Sequence, residues 1–170
     1  MARSSLDDFE GSIIDPAQPW NFQLRFLRLP SGVGSTKPLT VRCQATTLPG
    51  VTMETVVVGL HGMERRFRGR RTYSGEFNVT FAENVDWSTY QIFRNWHNMM
   101  LSWENNTGSS SQLYKMQAEL VTMDDAGNEQ AAFQIYGIWP SAVGDISFDG
   151  SSGGDYVRPE ITFAYDRIGE

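Results

Sequence analysis

Alternation of apolar and polar positions runs through most of this chain and predicts a protein built mainly of strands. Trp20, Phe22, Leu24 and Phe26 point one way while Asn21, Gln23 and Arg25 point the other. That is the period-two pattern of a strand with one buried face. Residues 30–38, with Pro30, Gly32, Gly34 and Pro38, read as an exposed loop. Residues 39–45 are expected as a second strand, closed by Leu48-Pro49-Gly50. Residues 51–58, with Thr52, Thr55 and Val56-Val57-Val58, favour strand strongly. With the extended, arginine-rich stretch that follows, residues 51–73 form an expected long hairpin with its tip near residues 59–62. Phe77, Val79 and Phe81 mark a further strand, and Tyr114, Met116, Ala118 and Leu120 alternate with Lys115, Gln117 and Glu119 to mark another. Phe133 and Ile135 lead a strand running to Trp139-Pro140. Residues 143–148 read as a short strand, and Ile161, Phe163 and Tyr165 as the last of about eight.

One segment changes period. Trp87, Tyr90, Phe93, Trp96, Met100 and Trp103 recur at steps of three and four, one face of a helix. Ser88 and Gln91 have capping-box spacing at its start. This stripe reads as a helix covering a sheet, with a ligand-binding aromatic box as the alternative. The fold class expected is mainly β: two packed antiparallel sheets, sandwich- or barrel-like, with one principal α-helix.

Residues 1–18 read as an amino-terminal arm and 19–170 as a single domain. In the arm, Asp7, Asp8, Glu10 and Asp15 are interspersed with Leu6, Phe9, Ile13 and Ile14, while Gly11 and Pro16 interrupt any long helix. Such apolar residues need a surface, on this domain or on a neighbour. The whole chain is 170 residues, long enough for a core without metals or disulfides. It is 40% hydrophobic and 20% charged, which excludes wholesale disorder. Its net charge of −6 opposes general binding to nucleic acid or anionic lipid. No apolar run approaches the ~18 residues of a membrane helix, so no membrane anchor is expected. Residues 1–10 lack the basic start and apolar stretch of a signal peptide.

Candidate chemistry is sparse. Cys43 is the lone cysteine and reads as a small buried hydrophobe or an intermolecular thiol. His61 and His97 are the two histidines, and both read as structural or solvated. No nucleophile elbow, zinc spacing, phosphate loop or dinucleotide fingerprint occurs, so no enzyme, metal or cofactor is expected. The sharpest charge feature is Glu64-Arg65-Arg66-Phe67-Arg68-Gly69-Arg70-Arg71. Simple alternation puts Arg66, Arg68 and Arg70 on one face, and Arg65, Phe67, Gly69 and Arg71 on the other. Three readings remain open: docking on an acidic patch of a neighbouring copy, a solvated edge guarded by charge, and a nucleic-acid contact.

A series of landmarks in order resembles the tail tube proteins of contractile-tailed bacteriophages. They are the strand of residues 20–29, Val41-Arg42-Cys43-Gln44-Ala45-Thr46-Thr47-Leu48-Pro49-Gly50, the basic hairpin and the aromatic helix. Gly137-Ile138-Trp139-Pro140-Ser141-Ala142-Val143-Gly144 and the terminal Phe163-Ala164-Tyr165 complete the series. The resemblance implies a non-catalytic virion subunit, assembled in the host cytoplasm. Its homohexameric rings stack into a tube inside a contractile sheath, with baseplate and tail terminator proteins as further partners. Genomic DNA passes through the lumen without specific binding. The projecting, positively charged hairpin is expected to make inter-subunit or inter-ring contacts at Gly59, His61, Arg65, Arg66, Arg68, Arg70, Arg71 and Tyr73. Lys115, Gln117 and Glu119, on a polar strand face, are expected to line the lumen. The inner tube of a type VI secretion or other contractile injection system is the related alternative, and a nucleic-acid-binding module using residues 65–71 is the alternative of another class.

Overall fold

Sheet pairing in the computed structural model, which describes residues 17–151 and 153–169, is antiparallel throughout. The strands are β1 (Phe22–Phe26), β2 (Cys43–Thr46), β3 (Val51–Leu60), β4 (Met63–Tyr73), β5 (Glu76–Phe81), β6 (Met116–Met123), β7 (Glu129–Val143), β8 (Glu160–Ala164) and β9 (Arg167–Gly169). The helices are α1 (Thr36–Arg42), α2 (Ser88–Met100) and α3 (Ser111–Tyr114). Seven strands form one array in the order β1-β6-β7-β8-β5-β2, with β9 beside β7, and β3 and β4 form a sheet of their own. The arm expected over residues 1–18 lies outside the described residues except for Ala17 and Gln18.

The two expected layers are the two halves of that array, and β7 belongs to both. Its first part pairs with β6 and β9, and its last part, from Trp139, pairs with β8. Gly137 stands at the change-over. The register slips here, Met116 facing Ile138 while Gln117 faces Tyr136, so Gly137 is an extra residue in β7. Its φ is +69°, which costs an L side chain ~1–2 kcal/mol, and a Cβ there would run into the Asp166 carboxylate. The Gly-Ile-Trp-Pro sequence is therefore a corner that turns one long strand from sheet to sheet.

Between the layers lies the core, with Leu24, Phe26, Phe81, Phe93, Trp96, Ile135, Ile138 and Phe163 all buried. Phe163 is its centre, its ring within 6.3 Å of the rings of Phe26, Phe77, Phe93 and Trp96. Cys43 packs partly buried against this cluster, and loss of hydration pushes its thiol up to about 12.

Several expectations change. Residues 39–42 belong to α1 and only 43–46 to a strand. Pro38 sits in the first turn of the helix, where its missing N–H costs no intrahelical bond, and Leu39 alone turns fully inward. Trp20 precedes β1 and is 68% exposed, so it does not join Phe22, Leu24 and Phe26. β7 absorbs the start of the expected strand at 143–148, because pairing with β8 carries it past Pro140 to Val143; residues 144–149 form no strand. After β8 the chain turns once more and adds β9, three residues too short for alternation to register.

The helix is present, but its stripe is narrower than expected. Phe93 and Trp96 are fully buried, together with Thr89 and nearly buried Ile92. Trp87, Tyr90 and Met100 are half-buried, and Trp103 lies beyond the helix, 77% exposed. No capping box forms. Trp87 is the residue before the helix, in the left-handed region with φ of 55°. Glu83 supplies the cap instead: its nearly buried carboxylate accepts the backbone N–H of Thr89 (3.1 Å) and Tyr90 (2.7 Å). Asp86 accepts from the Ser88 N–H and hydroxyl, and these bonds hold its carboxyl below the usual range.

Candidate functional site

Among the described residues no enclosed chemical centre stands out, and two surfaces do. The first is the β3–β4 hairpin. Leu60 pairs with Met63 across a two-residue loop, His61-Gly62, in which both φ angles are positive (49° and 79°). Those angles suit the right-handed twist of a long ribbon. At the base, Val51 pairs with Tyr73, whose ring meets Tyr165 edge-on at 6.3 Å. Tyr73 thus anchors the hairpin, while Gly59, His61 and the arginines lie outward along it.

All ten residues of β3 are exposed. Val56-Val57-Val58 is the continuous apolar run of a strand covered on both faces, yet here both faces are bare. The apolar side chains range from 44% exposed at Met53 to 75% at Met63. Exposed apolar surface of this kind is characteristic of an interaction site.

A bulge sorts the charges. Met53 faces Arg71 but Thr55 faces Arg68, so β4 carries one residue more than β3 between these pairs. Gly69 fills the tight spot, where a Cβ would approach the Glu54 carbonyl oxygen to 3.0 Å. The expected alternation is therefore broken, and Arg71 shares a face with Arg66 and Arg68, in register with Met53, Thr55 and Val57. The opposite face carries Val56, Val58, Leu60, Met63 and Phe67 with Arg65. None of the five hairpin arginines makes an ion pair among the described residues.

The second surface is the face of β1, β6, β7 and β9 turned away from the core. Lys115, just before β6, pairs with Asp166 at 2.7 Å. Gln117 donates to Gln134 (3.0 Å), as does the Tyr136 hydroxyl (3.0 Å), and Arg167 covers the Tyr136 ring. Glu119 stands opposite Arg25 on β1, and Arg25 pairs with Glu129 at 2.5 Å. Lys115, Gln117 and Glu119 thus share one polar face, hydrogen-bonded at Lys115 and Gln117, which ends at fully buried Val121. Lys115 and Arg25 are balanced locally by acids, while Arg167 stacks on the Tyr136 ring and keeps its charge. Both margins of this half-sheet are open: β1 pairs only with β6, and β9 only with β7, among the described residues. Alternation exposed the polar face, but not the two open margins, which depend on long-range pairing.

Comparison with known proteins decides what such a molecule is. The family described as phage tail tube protein matches residues 18–168. The chain belongs to the phage tail tube protein family. It is 29% identical over 129 residues to tail tube protein gp19 of Enterobacteria phage T4, spanning 75% of this chain and 78% of the relative. The corresponding protein of Enterobacteria phage T6 shows the same identity and coverage. Among solved structures, the fold matches a chain of a sheath–tube complex from an extracellular contractile injection system, in its extended state. There the TM-score is 0.66 at 15% identity, over 98% of this chain and 97% of the other. A chain of the sheath/tube terminator of such a system gives 0.68 at 16% identity, over 92% and 96%. The family's place is the virion tail, and its role is structural. No helix among the described residues is long and apolar enough to cross a membrane.

Proposed function

We propose that this tail tube subunit closes into six-membered rings that stack into the conduit of a contractile tail. The observation that carries this is the hairpin: a ten-residue strand, apolar at six positions and exposed throughout, is suited to an interaction surface. Open margins at β1 and β9 are suited to joining copies edge to edge, as a closed ring removes the edges a lone sheet leaves. The hairpin then bridges subunits or rings through the residue set from Gly59 to Tyr73. The polar face with Lys115, Gln117 and Glu119 turns to the channel. There Lys115 and Arg25 are already paired with acids, which leaves a DNA backbone few cations to hold it, so the genome slides through.

Sheath, terminator and baseplate proteins are the remaining partners. Support comes from chains of the same fold that occur, by their descriptions, in a sheath–tube complex, a tube terminator and a baseplate. No catalytic step and no cofactor enters this role. A density map of assembled tubes tests the orientation. Lys115, Gln117 and Glu119 are expected on the channel wall, and their appearance on the outer, sheath-facing surface would overturn it.

A further inference from the structure

We infer that the hairpin of one subunit is covered by residues 6–15 of the amino-terminal arm of a neighbouring copy. Any occupant must satisfy two demands at once. It must bring apolar side chains to Val56, Val58, Leu60, Met63 and Phe67, all close to half exposed or more, and carboxylates to arginines that have no ionic partner among the described residues. Elsewhere the two properties meet only on a smaller scale: Asp145-Ile146-Ser147-Phe148-Asp149 holds two acids and two apolar residues, and its Phe148 ring already meets Trp87 at 5.7 Å. Acidic stretches such as Asp124-Asp125 carry little apolar surface, and the exposed apolar residues Trp103 and Leu113 have no adjacent pair of acids. Residues 6–15, Leu-Asp-Asp-Phe-Glu-Gly-Ser-Ile-Ile-Asp, combine the two. They hold four carboxylates and four large apolar residues in ten positions. The hairpin answers with five arginines against two glutamates, Glu54 and Glu64. Such opposite patterns steer association and fix its register.

Reach permits the exchange. The described chain begins at Ala17, beside Thr122, Met123, Asp124 and Gln130 at the turn between β6 and β7. Residues 6–15, extended, span ~33 Å, the length of a ten-residue strand, and Pro16 alone separates them from Ala17, so the neighbour's hairpin must lie beside the β6–β7 turn. An exposed ribbon whose outer edges are unpaired among the described residues also offers backbone groups to an extended segment. Because the arm leaves from one copy and the hairpin belongs to the next, the contact fastens subunits together. It gives the stacked tube proposed above a strap in addition to its face-to-face contacts.

Disulfide trapping in full-length protein tests this. One protein carries Leu6→Cys, Phe9→Cys or Ile13→Cys, and a second carries Val58→Cys. The two are mixed, allowed to associate and gently oxidised. The parent, with partly buried Cys43 alone, sets the background. A covalent heterodimer above background from at least one arm position is the expected result. Its yield should fall several-fold with Arg66→Glu and Arg68→Glu on the hairpin, or with Asp7→Arg and Asp8→Arg on the arm. It should recover when both reversals are combined, which a mere folding defect would not do. Tubes that form with no inter-chain bond at any of the three positions would overturn the strap and leave the tube intact. A bond that closes only within a chain carrying both cysteines would overturn the exchange between copies. If the parent forms no tubes, the failure belongs to the tube assignment, and the trapping result still decides the strap in solution.

Discussion

The indole N–H of Trp96 donates to the backbone carbonyl of Tyr114 at 2.9 Å, tying the middle of α2 to the short helix that launches β6. Trp96 is fully buried, with Phe26 and Phe163 at 6.4 and 6.3 Å from its ring. One side chain therefore holds the helix, the core and the start of the polar strand in register.

Trp96→Ala should cost ~3–5 kcal/mol, the range for emptying a large aromatic from a packed core. Trp96→Phe keeps most of the apolar volume but leaves the Tyr114 carbonyl without this donor, and should cost less. Urea unfolding of the dissociated subunit measures both. An unchanged midpoint for the alanine variant would mean that the helix is not part of the core.

Gly137→Ala should destabilise the subunit through two separable effects. The positive φ costs ~1–2 kcal/mol whatever the neighbours. The added methyl group also displaces Asp166 and with it the Lys115 pair, a half-exposed contact worth ~0–1 kcal/mol. In the Gly137→Ala, Asp166→Ala double variant the clash with the carboxylate should be relieved, the 3.0 Å approach to the Cβ of residue 166 and the backbone part remaining. A full additive loss, measured by the same unfolding, would contradict the corner described here.

Most of the sandwich was legible because its strands bury one face each. Phe22, Leu24 and Phe26, or Phe77, Val79 and Phe81, reveal themselves by period alone. Legibility failed where burial was not periodic. In α1 a single inward residue, Leu39, gives no helical stripe, and Pro38 reads as a break although it sits in the first turn. In β9 three residues are too few. For the hairpin the sequence revealed the element and its charge, but the bulge at Gly69 reversed the side of Arg71, and a bulge needs a partner strand to be seen. The Glu83 cap was hidden for another reason. It lies five residues before α2, and the left-handed turn at Trp87 is what brings it to the helix end.

That corrected face gives a sharper test of the hairpin. Arg66→Ser, Arg68→Ser and Arg71→Ser together should leave subunit stability within ~0.5 kcal/mol, since exposed charges away from a core contribute little. Pelleting of assembled protein at a fixed concentration should fall, and the remaining assembly should respond less to added salt than the parent's. Retention on DNA-cellulose at physiological salt should change little. Equal assembly by variant and parent would make the arginines a solvated guard on an edge strand. Strong retention of the parent, lost in the variant, would favour nucleic-acid binding.

Negative-stain electron microscopy of the purified full-length protein, across a range of concentrations and salt, tests the central claim most directly. Stacked rings, or tubes with an open channel and six subunits in each turn, are the predicted result. Protein that stays as dispersed single subunits under every condition, with the β3–β4 hairpin still bare, would contradict it.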